Sequence, residues 1–167
     1  MATKYKHDVI MENIVSNYIE KDVLNIVVQN IDNIDFTIQD KYGITIMHEL
    51  FRRGYREVIT FIINNKFGKS IYGMEIQDKC GYTPLMLAAG TGQYETVSTG
   101  FVHYGEYCNF CARTYEKNPK NIYDILKKRS HIDLEFSSDV FTDERRKRIK
   151  NLVEIIGLQC SLTEMFF

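Results

Sequence analysis

Neither sign of charge dominates this sequence: 21 Lys and Arg stand against 22 Asp and Glu, for a formal net charge of -1 and a pI near 6.4. That balance excludes a histone-like or polybasic membrane-binding protein, whose affinity rests on excess cation. Cysteine is sparse and irregularly spaced (Cys80, Cys108, Cys111, Cys160), too little for a disulfide framework. Lys, Asp, Asn or Arg interrupts every apolar run before it reaches the roughly 18 residues of a membrane-spanning helix. A basic segment followed by an apolar one is missing at the start, and Asn-x-Ser/Thr acceptors are missing throughout. A reducing compartment of a cell is the expected location. What remains, 44% hydrophobic and 26% charged residues, is enough apolar material for one core and gives no case for a disordered chain.

The sequence repeats itself. Gln39-Asp40-Lys41-Tyr42-Gly43-Ile44-Thr45 recurs as Gln77-Asp78-Lys79-Cys80-Gly81-Tyr82-Thr83 at a shift of 38, and Gly54, Glu57 and His48 map onto Gly92, Glu95 and Met86 at the same shift. One further step lands on Asp124, inside Asn121-Ile122-Tyr123-Asp124-Ile125-Leu126, a worn third copy of a helix start. Upstream, Asp8–Tyr18 and Asp22–Val28 carry short apolar periodicities without the turn signature. Four units fit.

Each unit reads as a turn followed by two helices. Asp-Lys-x-Gly supplies a turn whose glycine takes positive φ, Thr45 and Thr83 cap the helix that follows, and Pro84 occupies a first helical position whose N–H needs no partner. The first helix carries Ile46, Met47, Leu50 and Phe51, or Leu85, Met86, Ala88 and Ala89, and stops at Gly54 or Gly92. The second carries Val58, Ile59, Ile62 and Ile63, or Val97, Phe101 and Val102, expected on a buried face. Ala89→Arg or Leu85→Asp is expected to unfold such a stack.

Gly81-Tyr82-Thr83-Pro84-Leu85-Met86-Leu87-Ala88-Ala89-Gly90-Thr91-Gly92 resembles the turn-helix signature of ankyrin repeats almost position for position. The preceding unit keeps the Thr and His in Thr45-Ile46-Met47-His48-Glu49-Leu50 but replaces Pro by Ile46 and the small pair by Leu50 and Phe51. The resemblance is close over 35–103 and weak over 1–34 and 104–167. The period of 38 exceeds the family's typical value of about 33, with the extra residues in Asn64–Glu75, and His131–Thr142 interrupts the last helix pair. The implied fold is an all-α ankyrin-repeat solenoid of about four helix-turn-helix units with degenerate terminal units. Its expected division is a single domain over 1–167: a capping unit (1–34), two repeats (35–70 and 71–104), and a degenerate unit with a capping helix (105–167).

Several local patterns imitate chemistry. His48-Glu49-Leu50-Phe51-Arg52 begins like a zinc-protease helix but has Arg52 where the second His is needed; a histidine here is expected to hydrogen-bond the turn backbone of a neighbouring repeat. Gly68-Lys69-Ser70 lacks both the upstream glycine and the strand of a phosphate loop. Cys108-x-x-Cys111 is half a zinc site, with only His103, His131 and Cys160 to complete it, and two reduced thiols are the expected state. Arg145-Arg146-Lys147-Arg148-Ile149-Lys150 alternates with Ile149, Leu152, Val153, Ile155 and Ile156 and reads as the polar side of an amphipathic helix capped by Thr142-Asp143-Glu144, with nuclear import as the competing reading. No catalytic constellation, metal site or cofactor is expected, nor any nucleic acid, membrane or small-molecule substrate.

Binding to another protein is what the resemblance implies, through turns that project as fingers and first helices that line a groove. The fingers would present Lys41, Tyr42, Ile44, Lys79, Cys80 and Tyr82; the groove would present Glu49, Arg52, Arg53, Leu87, Gly90 and Thr91. Tyr55 and Tyr94, at helix junctions, are further aromatic contact candidates. The phrase Ile46-Met47-His48-Glu49-Leu50-Phe51-Arg52-Arg53-Gly54, followed by Ile59-Thr60-Phe61-Ile62-Ile63, is similar to the small viral IκB-like ankyrin proteins of polydnaviruses, the vankyrins. That similarity implies an inhibitor of host Rel/NF-κB factors that acts by occlusion over a standard interface of roughly 800 Å² per partner. Its expected location is the host cytoplasm, with the nucleus as a second one. The chain contains neither an Asp-Ser nor a Ser-Gly dipeptide and only Pro84 and Pro119, so the phosphorylation-triggered degradation element of cellular IκB is not encoded in it. A generic adaptor that recruits another protein to an effector or ubiquitin-ligase complex is the alternative.

Overall fold

The computed structural model describes residues 2–16, 19–66, 73–104, 112–136 and 142–166. Among these are eight α-helices: α1 (Ala2–Ser16), α2 (Glu20–Asn30), α3 (Ile46–Arg53), α4 (Arg56–Lys66), α5 (Pro84–Gly90), α6 (Tyr94–Tyr104), α7 (Ile122–Phe136) and α8 (Asp143–Phe166). They pack as successive pairs. First helices stack in the row α1, α3, α5, α7 and second helices in the row α2, α4, α6, α8. One continuous apolar core runs through the rows, from Ile14, Val23 and Val27 through Phe51, Ile59, Ala88 and Ala89 to Leu126, Ile149 and Ile156.

The turn chemistry works as the sequence requires. Asp40 Oδ1 accepts hydrogen bonds from the backbone N–H of Tyr42 and Ile44, both at 2.8 Å. Asp78 Oδ1 repeats this toward Cys80 and Tyr82 at 2.8 and 2.9 Å. Gly43 and Gly81 sit at φ 82° and 87°, and a Cβ on either would meet the next finger's backbone, Lys79 N at 2.8 Å or Tyr115 N at 2.7 Å. Only glycine satisfies both the backbone region and the approach. Thr45 and Thr83 then cap α3 and α5, with Pro84 opening α5. Gly100 lets α6 approach the core closely, since a Cβ there would lie 2.7 Å from Leu85 and 2.9 Å from Phe51.

The terminal pairs use other devices. The first pair has no finger, and side chains of its neighbours do the joining: Arg53 Nη2 donates to Val15 O at 2.6 Å at the end of α1, while Glu20 Oε1 of α2 accepts from Glu57 N at 2.6 Å at the start of α4. Both satisfy backbone groups that a helix end leaves open. The last pair begins with a reciprocal cap, Asp124 N to Asn121 Oδ1 at 3.0 Å and Asn121 N to Asp124 Oδ2 at 3.1 Å.

Three expectations need correction. His131–Phe136 continues α7, so the break before α8 is narrower than His131–Thr142. Val102 is 72% exposed rather than buried, and Phe101 carries that end of α6 onto the core with Gly100 at its side. Tyr55 and Tyr94 are core residues, not surface aromatics. Tyr94 Oη donates to Asp133 Oδ2 of α7 at 2.6 Å, and burial with that bond pushes its pKa up.

His48 joins two repeats. Its Nδ1 accepts from Thr45 N at 3.2 Å, so Nε2 carries the proton and donates to Tyr82 O of the next finger at 3.0 Å. The ring is fully buried, and burial holds its pKa below that of a free imidazole. His7 is lowered by the same cause. The unfolded chain therefore takes up these protons first: stability is complete above the unfolded-state pKa and falls as pH drops below it. Thermal melting between pH 7.5 and 5.5 should show a decline in Tm, and His48→Asn should be less stable at pH 7.5 yet show a shallower decline. An unchanged slope in that variant would contradict the assignment.

Candidate functional site

Backbone hydrogen bonds join the fingers edge to edge. Lys79 N donates to Tyr42 O at 3.0 Å, and Tyr115 N donates to Cys80 O at 2.8 Å. Gln39 Nε2 bridges Gly43 O and Gln77 O, and Gln77 Nε2 bridges Gly81 O and Arg113 O, so each finger is clamped to the next by a side-chain amide as well. These directional bonds fix the spacing of the tips.

Tyr42 and Cys80 occupy equivalent tip positions in this ladder, and Tyr115, which donates to Cys80 O as Lys79 does to Tyr42 O, stands beside them on the third finger. Tyr42 is 61% exposed with the Lys41 ammonium 4.9 Å from its ring centroid, Tyr115 is 66% exposed, and Cys80 is an exposed free thiol. Lys41 and Lys79 flank the row in solvent, while Ile44 and Tyr82 are half-buried behind it. Tyr82 Oη donates to Glu116 Oε1 at 2.7 Å, and that bond leads the causes that push its pKa up to about 12. The side chain is thus held against the third finger.

That third finger has no counterpart in the repeat spacing. Its Tyr115 lies 36 residues after its ladder counterpart Lys79 rather than 38, and the finger closes without glycine: Thr114 N donates to Lys120 O at 3.0 Å and Lys120 N to Thr114 Oγ1 at 3.1 Å. A wider turn needs no residue at positive φ. The worn signature Asn121-x-x-Asp124 marked the helix, but no residue marked Tyr115.

At the other end of the first helices, about 12 Å away at 1.5 Å per residue over eight residues, the expected groove residues divide. Arg52 is half-exposed, and Gly90 and Thr91 lie in solvent, with Thr91 Oγ1 donating to Arg52 O at 3.1 Å. Leu87 is half-buried midway along α5. Glu49 and Arg53 are corrected: Glu49 is buried and the Arg53 side chain is only 11% exposed, because Glu49 accepts from both arginines and Arg53 also reaches α1. Burial works against ionisation of Glu49, but the hydrogen bonds from Arg52 and Arg53 outweigh it and hold its carboxyl below the usual range. These two residues join helices and offer little surface to a partner.

Among the described residues no group of three or more His, Cys, Asp or Glu is placed to hold a metal ion, and no helix is long and apolar enough to cross a membrane. Cys108, Cys111 and Gly68–Ser70 lie outside the described residues. Of the residues proposed to complete a Cys108/Cys111 site, Cys160 is in the core, His103 is exposed, and His131 lies 3.5 Å from Glu135.

The division of the arginines has a measurable consequence. Arg53→Gln should cost roughly 3 kcal/mol, since it breaks a mostly buried pair and uncaps α1; Arg52→Gln should cost about 1 kcal/mol or less. Urea denaturation reads both, and equal losses would contradict the assignment.

Residues 10–109, more than half of the chain, match the family described as ankyrin repeats (3 copies). No curated protein matches the chain. Among solved structures it is similar to a chain in the complex of the predatory endopeptidase Bd0816 from Bdellovibrio bacteriovorus with immunity protein Bd3460, at a TM-score of 0.54 and 16% identity. That similarity covers 84% of this chain and 61% of the other, and at this identity it speaks to the fold alone. With a Thr-capped helix after each glycine finger, the second of them opened by Pro84, and a family match that spans both, the chain belongs to the ankyrin-repeat family.

Proposed function

We propose that this chain is a non-enzymatic, protein-binding inhibitor that takes a host Rel/NF-κB transcription factor across its fingertip row and blocks the factor's DNA binding or nuclear entry. Ankyrin repeats support a protein partner. The observation that carries the reading is the row Tyr42, Cys80, Tyr115, held in fixed register by the finger ladder. Two exposed tyrosines on a rigid edge suit an interface, because tyrosine brings large contact area at little conformational cost. Lys41 and Lys79 beside them favour an acidic edge on the partner.

The Rel identity of that partner rests on the likeness of residues 46–63 to the IκB-like proteins. Occlusion requires no chemistry from the inhibitor. Without Asp-Ser or Ser-Gly in the sequence, signal-driven release of the cellular kind has no phosphorylation site to act on. A cytoplasmic location in a host cell, with nuclear entry through Arg145–Lys150 as a second, completes the reading. Those residues lie on α8, where Arg146 donates to Leu134 O of α7 at 3.4 Å and Arg145 pairs with Glu95 of α6 at 3.2 Å.

Pull-down with purified insect and mammalian Rel-homology domains, followed by competition with κB-site DNA, should show saturable binding that displaces the DNA. Tyr42→Ala combined with Tyr115→Ala should weaken it at least tenfold with the helical circular dichroism unchanged. Absence of binding to every Rel domain would overturn the Rel identity. Undiminished binding by the double variant would remove the fingertip row.

A further inference from the structure

On the second-helix row, away from the fingers, α8 leaves an open groove of about 470 Å³ against α6 and the start of α4. That is within the usual size range of ligand sites, roughly 300–1,000 Å³. Three guanidinium groups line it from two directions, Arg56 at the start of α4 and Arg145 and Arg148 one helical turn apart on α8, against two carboxylates, Glu95 and Glu144. Ser98, Thr99 and Thr142 add hydroxyls, and the nearly buried Ile149 and Leu152 lie beneath.

Arg56 pairs with no carboxylate among the described residues, and its side chain lies in solvent. The other two form ion pairs with carboxylates at the groove. Arg148 and Glu144 form an ion pair with both side chains 74% exposed, and Arg145 and Glu95 pair at 3.2 Å with 41% and 52% exposure. Pairs this wet contribute about 0–1 kcal/mol, so a ligand carrying two charges on several oxygens competes with them readily. The Ser98 hydroxyl makes no hydrogen bond among the described residues, and the Thr142 hydroxyl accepts from Arg145 N at 3.3 Å as the cap of α8, leaving its proton to donate.

We infer that this groove is an anion site for a phosphate monoester, gripped by Arg56, Arg145 and Arg148 with Ser98 as an added donor. The planar fork of arginine matches phosphate oxygens two at a time. Ile149 and Leu152 supply an apolar floor beside the charge, which suits a phosphorylated side chain followed by an apolar residue on a protein partner. A free phosphate monoester shares the chemistry without that second contact. The site is independent of the fingertip row and of what binds there.

Fluorescence anisotropy with full-length protein tests this, using a labelled Ala-phosphoserine-Leu-Ala peptide, the same peptide without phosphate, and unlabelled inorganic phosphate as competitor. The phosphopeptide should bind saturably and at least tenfold tighter than its unphosphorylated form. Arg56→Gln and Arg148→Gln, both on exposed side chains, should each weaken it about tenfold with unchanged circular dichroism. Inorganic phosphate that competes with an affinity equal to the peptide's, and loses it equally in both variants, would support the anion site and assign it to a free phosphate. Equal binding of the two peptides, no saturable binding of any probe below about 5 mM, or indifference to both variants would overturn the proposal.

Discussion

The stack depends on the hydrogen-bonded ladder between successive fingers. Helix pairs alone supply apolar faces, and apolar contact is indifferent to small slides of one pair along another. The ladder is directional: Lys79 N to Tyr42 O and Tyr115 N to Cys80 O set the distance from each repeat to the next, and the amides of Gln39 and Gln77 repeat the constraint. His48 fastens the same register from inside, between its own helix cap and the carbonyl of Tyr82. A solenoid of this kind has stability mostly from nearest neighbours, so a register fixed at each junction is fixed for the whole row.

Where the ladder stops, charged side chains take over. Arg53 and Glu20 close helix ends across the first junction, and Arg129, Asp133 and Tyr94 tie α7 to α6 at the last. Of these only the Tyr94–Asp133 bond is buried. The charged contacts also explain why charge on this protein is a poor guide to its surface: Glu49 and Arg53 look like exposed groove residues in sequence, yet they lie within the fold.

Much of the fold was legible because the internal repeats obey local rules. Asp40, Gly43 and Thr45, then Asp78, Gly81, Thr83 and Pro84, each do what their own backbone chemistry demands, and no distant residue alters it. Legibility failed where tertiary contact decides. Val102 is apolar at a helical spacing that predicts burial, but the chain turns its face outward and fills the position with Phe101 and Gly100. Tyr55 and Tyr94 sit at junctions and resemble surface aromatics until α7 brings Asp133 over Tyr94. Two of the three residues of the fingertip row were readable, since Tyr42 and Cys80 fall in the repeated segment. Tyr115 was not, because its finger replaces a glycine turn by a wider loop closed through Thr114 and Lys120.

The central claim is that a Rel-type partner is held along the row of fingertips. Hydrogen–deuterium exchange of the full chain, with and without a saturating Rel-homology domain, addresses it at residue resolution. The account predicts added protection at residues 40–44, 78–82 and 113–116. Protection confined to other surfaces of the stack, or none at saturation, would contradict it.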